Sequence, residues 1–257
     1  MNRIQMSTKE EIATITIQGI GEGHVIDDAA VDELAEIIGK LFRDKSVKVV
    51  IFTGTGNMFA TGPDAAELLQ LNPIEARAFT MKVKDVFWTL ATLPQVTIAA
   101  VNGIAQAIGC ELCVACDIRI ASEQASFGHP ETGMGLLPGY GGTQRLTRLI
   151  GQGYAKELIF TGDVIDAAEA YRIGLVNKVV PAGKLEEYSA DMAKRILKNG
   201  SYAINLAKHA INIGNEIDLD SAISLEGDLY ALLFACKDHK SGLQAKLRGQ
   251  SAELKDF

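Results

Sequence analysis

Hydrophobic residues recur along the first part of the chain with two different periods. Residues 13–17 (ATITI) alternate apolar and polar positions, which predicts a strand with one buried face. Residues 47–53 (VKVVIFT) are almost continuously apolar and predict a buried strand. Between these two strands, apolar residues at helical spacing predict one face of a helix: Val31, Leu34, Ala35, Ile38, Leu41 and Phe42. Asp27 or Asp28 is the expected cap of this helix.

The alternation of strands and helices continues further along the chain. A short helix is predicted to start near Asp64. A longer helix starts at Asn72–Pro73, where Asn is a good cap and Pro suits the first turn, and it ends before Pro94. Two more strands are predicted at 96–101 and 118–122, on either side of a helical stretch. Strands separated by helices are typical of an α/β core.

The pattern changes from about Lys184 onward. Three helices with almost no strand between them are predicted there, over 185–197, 202–213 and 219–247. We therefore divide the chain into a core that carries the site, residues 1–198, and a helical C-terminal segment, residues 199–257. Because no Pro/Gly-rich hinge separates the two, the segment is expected to pack on its own core or on a neighbouring subunit.

Composition and charge exclude several classes of function. A chain with 47% hydrophobic residues is typical of a globular protein, and a net charge of -7 argues against a broad surface for nucleic acid or anionic membrane. Four cysteines form no disulfide framework and favour a reducing compartment. The charged start of the chain is not expected to be a signal peptide, and no apolar run reaches the roughly 18 residues of a membrane helix. We expect a cytoplasmic protein.

Three of the cysteines, Cys110, Cys113 and Cys116, follow one another at intervals of three residues. This spacing can ligate an iron–sulfur cluster. However, residues three apart on a helix share one face, and free cysteine often behaves as a small buried hydrophobe. We expect these side chains to fill the core, and no metal site is predicted.

Other common functional motifs are broken or absent from the sequence. The segment GIGEGH (19–24) has His24 where a dinucleotide-binding fingerprint needs its third glycine. The chain has no GxxxxGK[ST] phosphate loop, no GxSxG nucleophile motif and no HExxH metal motif. His129 is the one histidine beside a candidate site, and we expect it at the surface or in a satisfied polar contact.

Two glutamates stand in apolar, glycine-rich surroundings: Glu111 in GCELC and Glu131 in FGHPETGMG. Most glutamates are solvated surface residues. Glu111 is flanked by Ile108, Leu112 and Val114, which favours a buried position. A buried carboxyl group has a raised pKa and can exchange protons near neutrality. Two such groups that face one water molecule can activate the water and protonate a neighbouring carbon.

The motifs around these glutamates resemble those of the enoyl-CoA hydratase (crotonase) family. They are NGIAQAIGCELCVACDIRIAS and FGHPETGMGLLPGYGGTQRLTRLIG, preceded by VVIFTGTGNMFATGPD and followed by AKELIFTG, AYRIGLVNKVV and a helical tail. The resemblance covers nearly the whole chain. It implies a crotonase-like α/β spiral of ββα units with a helical C-terminal trimerisation segment, assembled as a homotrimer or a dimer of trimers (a hexamer). It also implies an acyl-CoA thioester substrate of fatty acid metabolism, with coenzyme A as part of the substrate and no other cofactor.

The resemblance also implies a mechanism. Members of the family stabilise a thioester enolate with two backbone N–H groups, an oxyanion hole. In the hydratase branch two glutamates hold a water molecule and add it across the 2,3-double bond. Glu111 and Glu131 match both positions, with Glu131 assigned to proton exchange at the α-carbon and Glu111 to the water. This division stays open, since the two can act as a unit. Gly139 matches the glycine whose backbone lines the water site.

The first oxyanion segment departs from the family pattern. In ATGPD (60–64), Ala60 and Gly62 are expected to line the substrate site, but Pro63 stands at the donor position and has no N–H. The loss of one oxyanion donor typically costs ~2.7–4 kcal/mol of transition-state stabilisation. The N–H of Asp64 is one candidate replacement.

The second oxyanion segment, 107–109, is also atypical. Ile108 keeps its N–H, but its β-branched side chain stands where the family has glycine and a close backbone approach is expected. Gly109 and Cys110, at a helix start where unpaired donors cluster, are further candidate donors.

Three functions stay open at this point. The first is an enoyl-CoA hydratase, or 3-hydroxyacyl-CoA dehydratase in the reverse direction, which the retention of both glutamates favours. The second is another reaction of the family, such as double-bond isomerisation, thioester hydrolysis or carbon–carbon cleavage. The third is a weakly active or inactive member that serves as an acyl-CoA binder or oligomer subunit, which Pro63 and Ile108 support.

Overall fold

The computed structural model describes residues 3–18, 24–63, 65–252 and 254. Most of the chain repeats one unit, a pair of strands followed by helix. Four units follow one another: β1 (Ile4–Lys9), β2 (Ile12–Ile17) and α1 (Asp28–Arg43); β3 (Val49–Gly54), β4 (Met58–Ala60), α2 (Ala65–Leu68) and α3 (Pro73–Ala91); β5 (Val96–Val101), β6 (Ile104–Gln106) and α4 (Ile108–Ala115); β7 (Ile118–Ser122), β8 (Ser126–Gly128), a 3-10 helix (Pro130–Met134) and α5 (Gly142–Thr161). This repeat confirms the ββα units that the sequence resemblance implies.

The remaining elements complete the sheets and form the C-terminal helices. They are β9 (Val164–Asp166), α6 (Ala167–Arg172), β10 (Lys178–Val180), a 3-10 turn (Ala182–Lys184), α7 (Leu185–Leu197), α8 (Ser201–Gly214), α9 (Leu219–Leu233) and α10 (Lys237–Leu247). Helix α5 is interrupted at Gly151, whose backbone (φ 79°, ψ 161°) is not helical. Among the described residues, no helix is both long and apolar enough to cross a membrane.

In the second, third and fourth units, the two strands enter two different sheets, whereas β1 and β2 of the first unit pair with each other in one sheet. The six-stranded sheet has the order β1-β2-β3-β5-β7-β10, and the four-stranded sheet has the order β4-β6-β8-β9. Pairing is parallel except between β1 and β2 and between β8 and β9. The chain therefore passes from one sheet to the other in each of the last three units, which winds it into a spiral.

Helix α1 largely follows the predicted apolar face. Asp27 is its cap, because its side chain accepts a hydrogen bond of 2.9 Å from the N–H of Ala30. Four of the predicted core positions are buried: Val31, Leu34, Ile38 and Leu41. Ala35 and Phe42 were expected on the same face but are exposed, because they lie at the edge of an apolar stripe that is narrower than the sequence suggests.

Helix α3 begins and ends as predicted. The Asn72 side chain accepts hydrogen bonds from the N–H groups of Ile74 (2.9 Å) and Glu75 (3.1 Å). Glu75 completes a capping box by accepting from the N–H of Asn72 at 2.9 Å. Pro73 occupies the first turn, and the helix ends before Pro94.

The predicted helix over 219–247 is wrong in one respect, because it consists of two helices. The chain leaves α9 after Leu233, and Cys236 is extended (φ -87°, ψ 154°) at the start of α10. The ring of Phe234 lies 5.3 Å from that of Tyr230 and 4.9 Å from that of His239, centroid to centroid, so the break is packed on both sides. Apolar residues recur on both sides of the break, which is why the pattern alone predicts one continuous helix.

A lysine of helix α8 forms an ionic network with the core. The Lys208 ammonium lies 2.8 Å from the Asp117 carboxylate and donates to the Gln95 carbonyl at 3.0 Å. The same carboxylate oxygen accepts from the N–H of Thr97 at 2.7 Å and from its hydroxyl at 2.9 Å. This network ties the C-terminal helices to the first residues of β5.

Replacement of the ammonium should loosen this attachment. We expect Lys208→Met to lower the free energy of unfolding by roughly 2 kcal/mol, somewhat less than a fully buried pair would lose, because the Asp117 carboxylate keeps its bonds to Thr97. Urea unfolding at fixed protein concentration measures the change. Lys156→Met, on the exposed surface of α5, is the matched control and should stay within about 0.5 kcal/mol. Equal midpoints for the two variants would contradict the role of Lys208.

Candidate active site

The candidate site lies where three parallel strands end. β4, β6 and β8 are neighbours in the small sheet and run in the same direction. The carboxyl ends of parallel strands meet at one edge of a sheet, where ligands bind in many α/β proteins. The segments that follow these strands are 61–63, 107–111 and 129–131, which contain most of the residues that the sequence singles out.

Glu111 is held in the first turn of α4 by two backbone amides. All eight residues of this helix are buried, and Glu111 is 0% exposed. Its Oε1 accepts hydrogen bonds from the N–H groups of Tyr140 (2.9 Å) and Gly142 (2.6 Å). Its Oε2 is buried and has no hydrogen-bond partner in the described parts of the chain. One oxygen is therefore fixed by the protein, and the other is left for a ligand.

Gly142 makes this arrangement possible. A Cβ atom at this position would lie 2.6 Å from Oε1 of Glu111 and 2.9 Å from the Cβ of Pro138. Any side chain would therefore push the carboxylate away from the two amides. This contact is the physical reason for glycine at the start of α5.

Burial raises the pKa of Glu111 to about 7, although the amides of Tyr140 and Gly142 and the charge of His129 lower it. The carboxylate of Glu131 raises the pKa of Glu111 as well. A carboxyl group with this pKa can take up and release a proton near neutral pH. The prediction that Glu111 is buried with a raised pKa is thus confirmed.

Glu131 stands in the 3-10 helix that follows β8 and is 7% exposed. Its Oε1 lies 3.4 Å from Nδ1 of His129, and its Oε2 is buried without a hydrogen-bond partner among the residues that the structure describes. Glu131 therefore repeats the arrangement of Glu111, with one oxygen in contact with a protein group and one left over.

His129 was not predicted as part of the site. Its ring is completely buried, so of the two expectations the surface position is wrong. The expected polar contact is met at Nδ1, which lies 3.4 Å from Oε1 of Glu131, while Nε2 has no hydrogen-bond partner within the described ranges. Burial lowers the pKa of His129, but Cys110 and Glu131 raise it, and the net shift is upward. The signal that could have found it is its place directly after a buried strand, two residues before Glu131.

Glu111, Glu131 and Tyr140 lie close enough to one another to interact electrostatically. Burial raises the pKa of Tyr140, and the carboxylates of both Glu111 and Glu131 raise it further. The Tyr140 ring packs edge-on against Phe79 of α3, with 5.7 Å between the ring centroids. The structure thus brings together two carboxyl groups that lie 20 residues apart in the sequence.

The two predicted oxyanion segments lie against each other. A Cβ atom on Gly62 would be 3.2 Å from the Cβ of Ala107, and a Cβ atom on Gly109 would be 2.0 Å from the carbonyl oxygen of Ala60. The close backbone approach is therefore made by Gly109. The Ile108 side chain, which was expected to stand in the way of such an approach, is instead completely buried in the hydrophobic core.

The start of α4 offers unpaired backbone donors. The N-cap residue, Ala107, has φ 49° and ψ -124° and provides no side-chain hydrogen bond to the helix. The first N–H groups of a helix have no partner inside it, which applies to those of Ile108, Gly109 and Cys110. These amides also carry the partial positive charge of the helix N-terminus.

The remaining predicted residues lie beside these groups. Pro63 is partly buried and follows Gly62, while Asp64 lies outside the described residues, and the short helix predicted near it is α2. Gly139 is partly buried and directly precedes Tyr140, whose N–H holds Glu111.

The four cysteines are free and buried, which confirms the prediction of core packing. Burial raises the pKa of Cys116 to about 12 and also raises that of Cys113. Thiols with these pKa values stay protonated at neutral pH and behave as small apolar side chains.

A cavity of about 840 Å³ lies between α8 and the core. Its lining includes Trp88, Val114, Leu149, Ile204 and Ile211. Neither Glu111 nor Glu131 lines this cavity, so it is separate from the candidate site.

Comparison with known proteins gives a consistent result. Residues 7–253 match the profile of a family described as enoyl-CoA hydratase/isomerase. The chain is 40% identical over 254 residues to a short-chain-enoyl-CoA hydratase of Clostridium acetobutylicum, which covers 98% of this chain and 97% of the relative. It is 41% identical over 252 residues to a crotonyl-CoA hydratase of Syntrophomonas wolfei, with coverage of 98% and 97%.

Solved structures agree with the sequence comparison. The crystal structure of an enoyl-CoA hydratase from Bacillus anthracis superposes with a TM-score of 0.94 at 38% identity, and the match covers 98% of this chain and 99% of that one. A structure from Geobacillus kaustophilus has a TM-score of 0.96 at 33% identity and covers 99% and 97% of the two chains. The expected crotonase-like fold is thereby confirmed.

The buried carboxyl group of Glu111 should make the protein less stable as pH rises. Because its pKa is raised to about 7 in the folded protein, the folded state binds more protons than the unfolded state between about pH 4.5 and 7. Stability is therefore lost across this window, by up to about 3 kcal/mol. Glu111→Gln should remove this part of the pH dependence, measured by urea unfolding between pH 5 and 8. Glu157→Gln, on the exposed surface of α5, is the control, and identical pH dependence in the two variants would refute the assignment.

Proposed function

This chain belongs to the enoyl-CoA hydratase/isomerase family, and on that premise we propose that it adds water reversibly to a 2-enoyl-CoA thioester. The product is a 3-hydroxyacyl-CoA, and the enzyme is a carbon–oxygen lyase. The observation that carries the proposal is the pair of buried glutamates, each with one carboxylate oxygen in contact with the protein and one without a partner within the described residues. Coenzyme A is part of the substrate, and the proposed reaction needs no further cofactor.

In the hydration direction, Glu111 accepts a proton from the water molecule as the oxygen of that water bonds to C3. Glu131 delivers a proton to C2, so the elements of one water molecule are added in total. After hydration, Glu111 is protonated and Glu131 is ionised. Dehydration follows the same steps in reverse. Exchange of one proton between the pair and solvent restores the starting state. The raised pKa of Glu111, about 7 because of burial, suits both directions.

The thioester oxygen needs hydrogen-bond donors while negative charge develops on it. We assign this role to the first turn of α4, with Ile108 as the main donor and Gly109 as its neighbour. These amides are preorganised by the buried helix and lie three residues or less from Glu111. Ala60 and Gly62 line the opposite side of this position, and Gly139 belongs to the water side of the pocket.

We assign the C-terminal segment, residues 199–257, to assembly of the oligomer. α8, α9 and α10 contain no fully buried residue among those described. They expose large apolar side chains, among them Ile211, Leu219, Ile223, Tyr230 and Leu247. Exposed apolar surface on this scale is typical of a protein interface. A homotrimer or a dimer of such trimers, in the cytoplasm, is the proposed state.

Loss of either carboxyl group should abolish most of the hydration activity. Crotonyl-CoA is the test substrate, because two of the relatives are named for short-chain or crotonyl thioesters. We expect Glu111→Gln and Glu131→Gln each to lower kcat by about 10²–10⁴-fold, the usual contribution of a general acid or base. Loss of the conjugated thioester absorbance gives the rate.

Glu157→Gln is the control for these substitutions and should keep the full rate. Turnover that survives both active-site substitutions would reject the two-glutamate mechanism. Binding of crotonyl-CoA without turnover in the unaltered protein would instead favour an acyl-CoA binder.

Pro63 offers a test of the oxyanion segment. If the absent N–H limits catalysis, Pro63→Ala should raise kcat by about 10-fold or more, because a restored donor is worth at least ~1.4 kcal/mol. Pro181→Ala, at an exposed position, is the matched control and should leave the rate unchanged. An unchanged rate in folded Pro63→Ala would mean that the site already has the donors it needs.

A further inference from the structure

We infer that His129 is a positioning residue for Glu131, whose carboxylate it holds with one oxygen against the ring and the other directed away from it, available to the α-carbon proton. The inference rests on the proposed hydratase function and assigns a residue beyond the two glutamates. It starts from a buried contact that the mechanism described above does not use.

The contact with His129 gives the two carboxylate oxygens of Glu131 different environments. Nδ1 of His129 lies 3.4 Å from Oε1, while Oε2 is buried and has no partner in the parts of the chain that the structure describes. The histidine side chain is 1% exposed and that of Glu131 9%. A contact between a ring nitrogen and a carboxylate in such a dry environment is only weakly screened by solvent. It therefore restricts the rotation of the carboxylate and leaves Oε2 as the reactive oxygen.

His129 also lies near the helix that carries Glu111. The Cys110 thiol is close enough to the imidazole to influence its titration, and Cys110 directly precedes Glu111 in α4. The His129 ring thus lies between α4 and the 3-10 helix of Glu131. It links the two elements whose carboxyl groups must hold the same water molecule.

Several titratable groups surround the His129–Glu131 pair. They are Cys110 and Glu111 from α4, Tyr140 from the loop before α5 and, through Glu111, Arg145 from α5. Burial favours the protonated form of Glu111. In dehydration, Glu131 removes the α-proton and the protonated Glu111 gives its proton to the leaving hydroxyl group, so the orientation of the Glu131 carboxylate decides how well the first of these transfers proceeds.

The split between kcat and KM in dehydration tests this inference. The substrate is 3-hydroxybutyryl-CoA, and the appearance of the conjugated thioester absorbance gives the rate. In His129→Gln, which keeps a donor but loses the imidazole that contacts Oε1, kcat should fall about 10-fold, because the carboxylate is no longer held in one orientation. KM should change by less than about twofold, because a positioning residue acts on the transition state.

A double-mutant cycle separates positioning from simple packing. If His129 acts through Glu131, then His129→Gln should lower kcat about 10-fold in the unaltered protein but less than about twofold when Glu131→Gln is already present. If either His129→Gln protein does not fold, His129→Asn, which keeps a donor in a smaller volume, takes its place. Thermal unfolding of each variant shows whether the fold is retained.

Two results would overturn the role of His129. One is an effect of His129→Gln that falls on KM and leaves kcat unchanged in a folded variant, and the other is an equal loss of kcat in both backgrounds. Neither result would touch the proposed function, which instead fails if the unaltered protein neither hydrates crotonyl-CoA nor dehydrates 3-hydroxybutyryl-CoA.

Discussion

The whole site depends on one buried carboxylate, that of Glu111, fixed by the amides of Tyr140 and Gly142. A charged group without such bonds would be too costly in this helix, whose residues are all buried. The two amides lower that cost enough for the group to titrate near neutrality rather than remain neutral throughout. They also fix the start of α5 relative to α4. The same two hydrogen bonds therefore determine both the position of the Glu111 carboxylate and the packing of the two helices.

The sheet topology explains why three short chain segments are enough to form the candidate site. Because β4, β6 and β8 are parallel neighbours, the segments after them meet at a single edge. One segment provides the Ala60–Gly62 wall, the next provides the helix start and Glu111, and the third provides His129 and Glu131. The second, third and fourth ββα units each contribute one segment of the site, and the spiral fixes the order of these segments.

Much of this could be predicted from the sequence, and the failures have identifiable causes. The strands, the caps at Asp27 and Asn72 and the buried Glu111 depend on local patterns that the structure preserves. The break before Cys236 was missed because apolar residues recur on both sides of it. His129 was missed because its contact with Glu131 depends on how a 3-10 helix turns after β8. Local spacing along the chain does not record such tertiary geometry.

The unusual backbone at Ala107 has a consequence for how the thioester is received. Its φ of 49° and ψ of -124° lie in a region that residues with a side chain rarely occupy, which costs of order 1–3 kcal/mol. The surrounding core must impose this conformation when the chain folds, before any ligand arrives. On the proposed assignment of Ile108 and Gly109 as oxyanion donors, their amides need no rearrangement as the substrate enters. The free-energy cost of orienting these donors is then met during folding and is not subtracted from the binding free energy of the substrate.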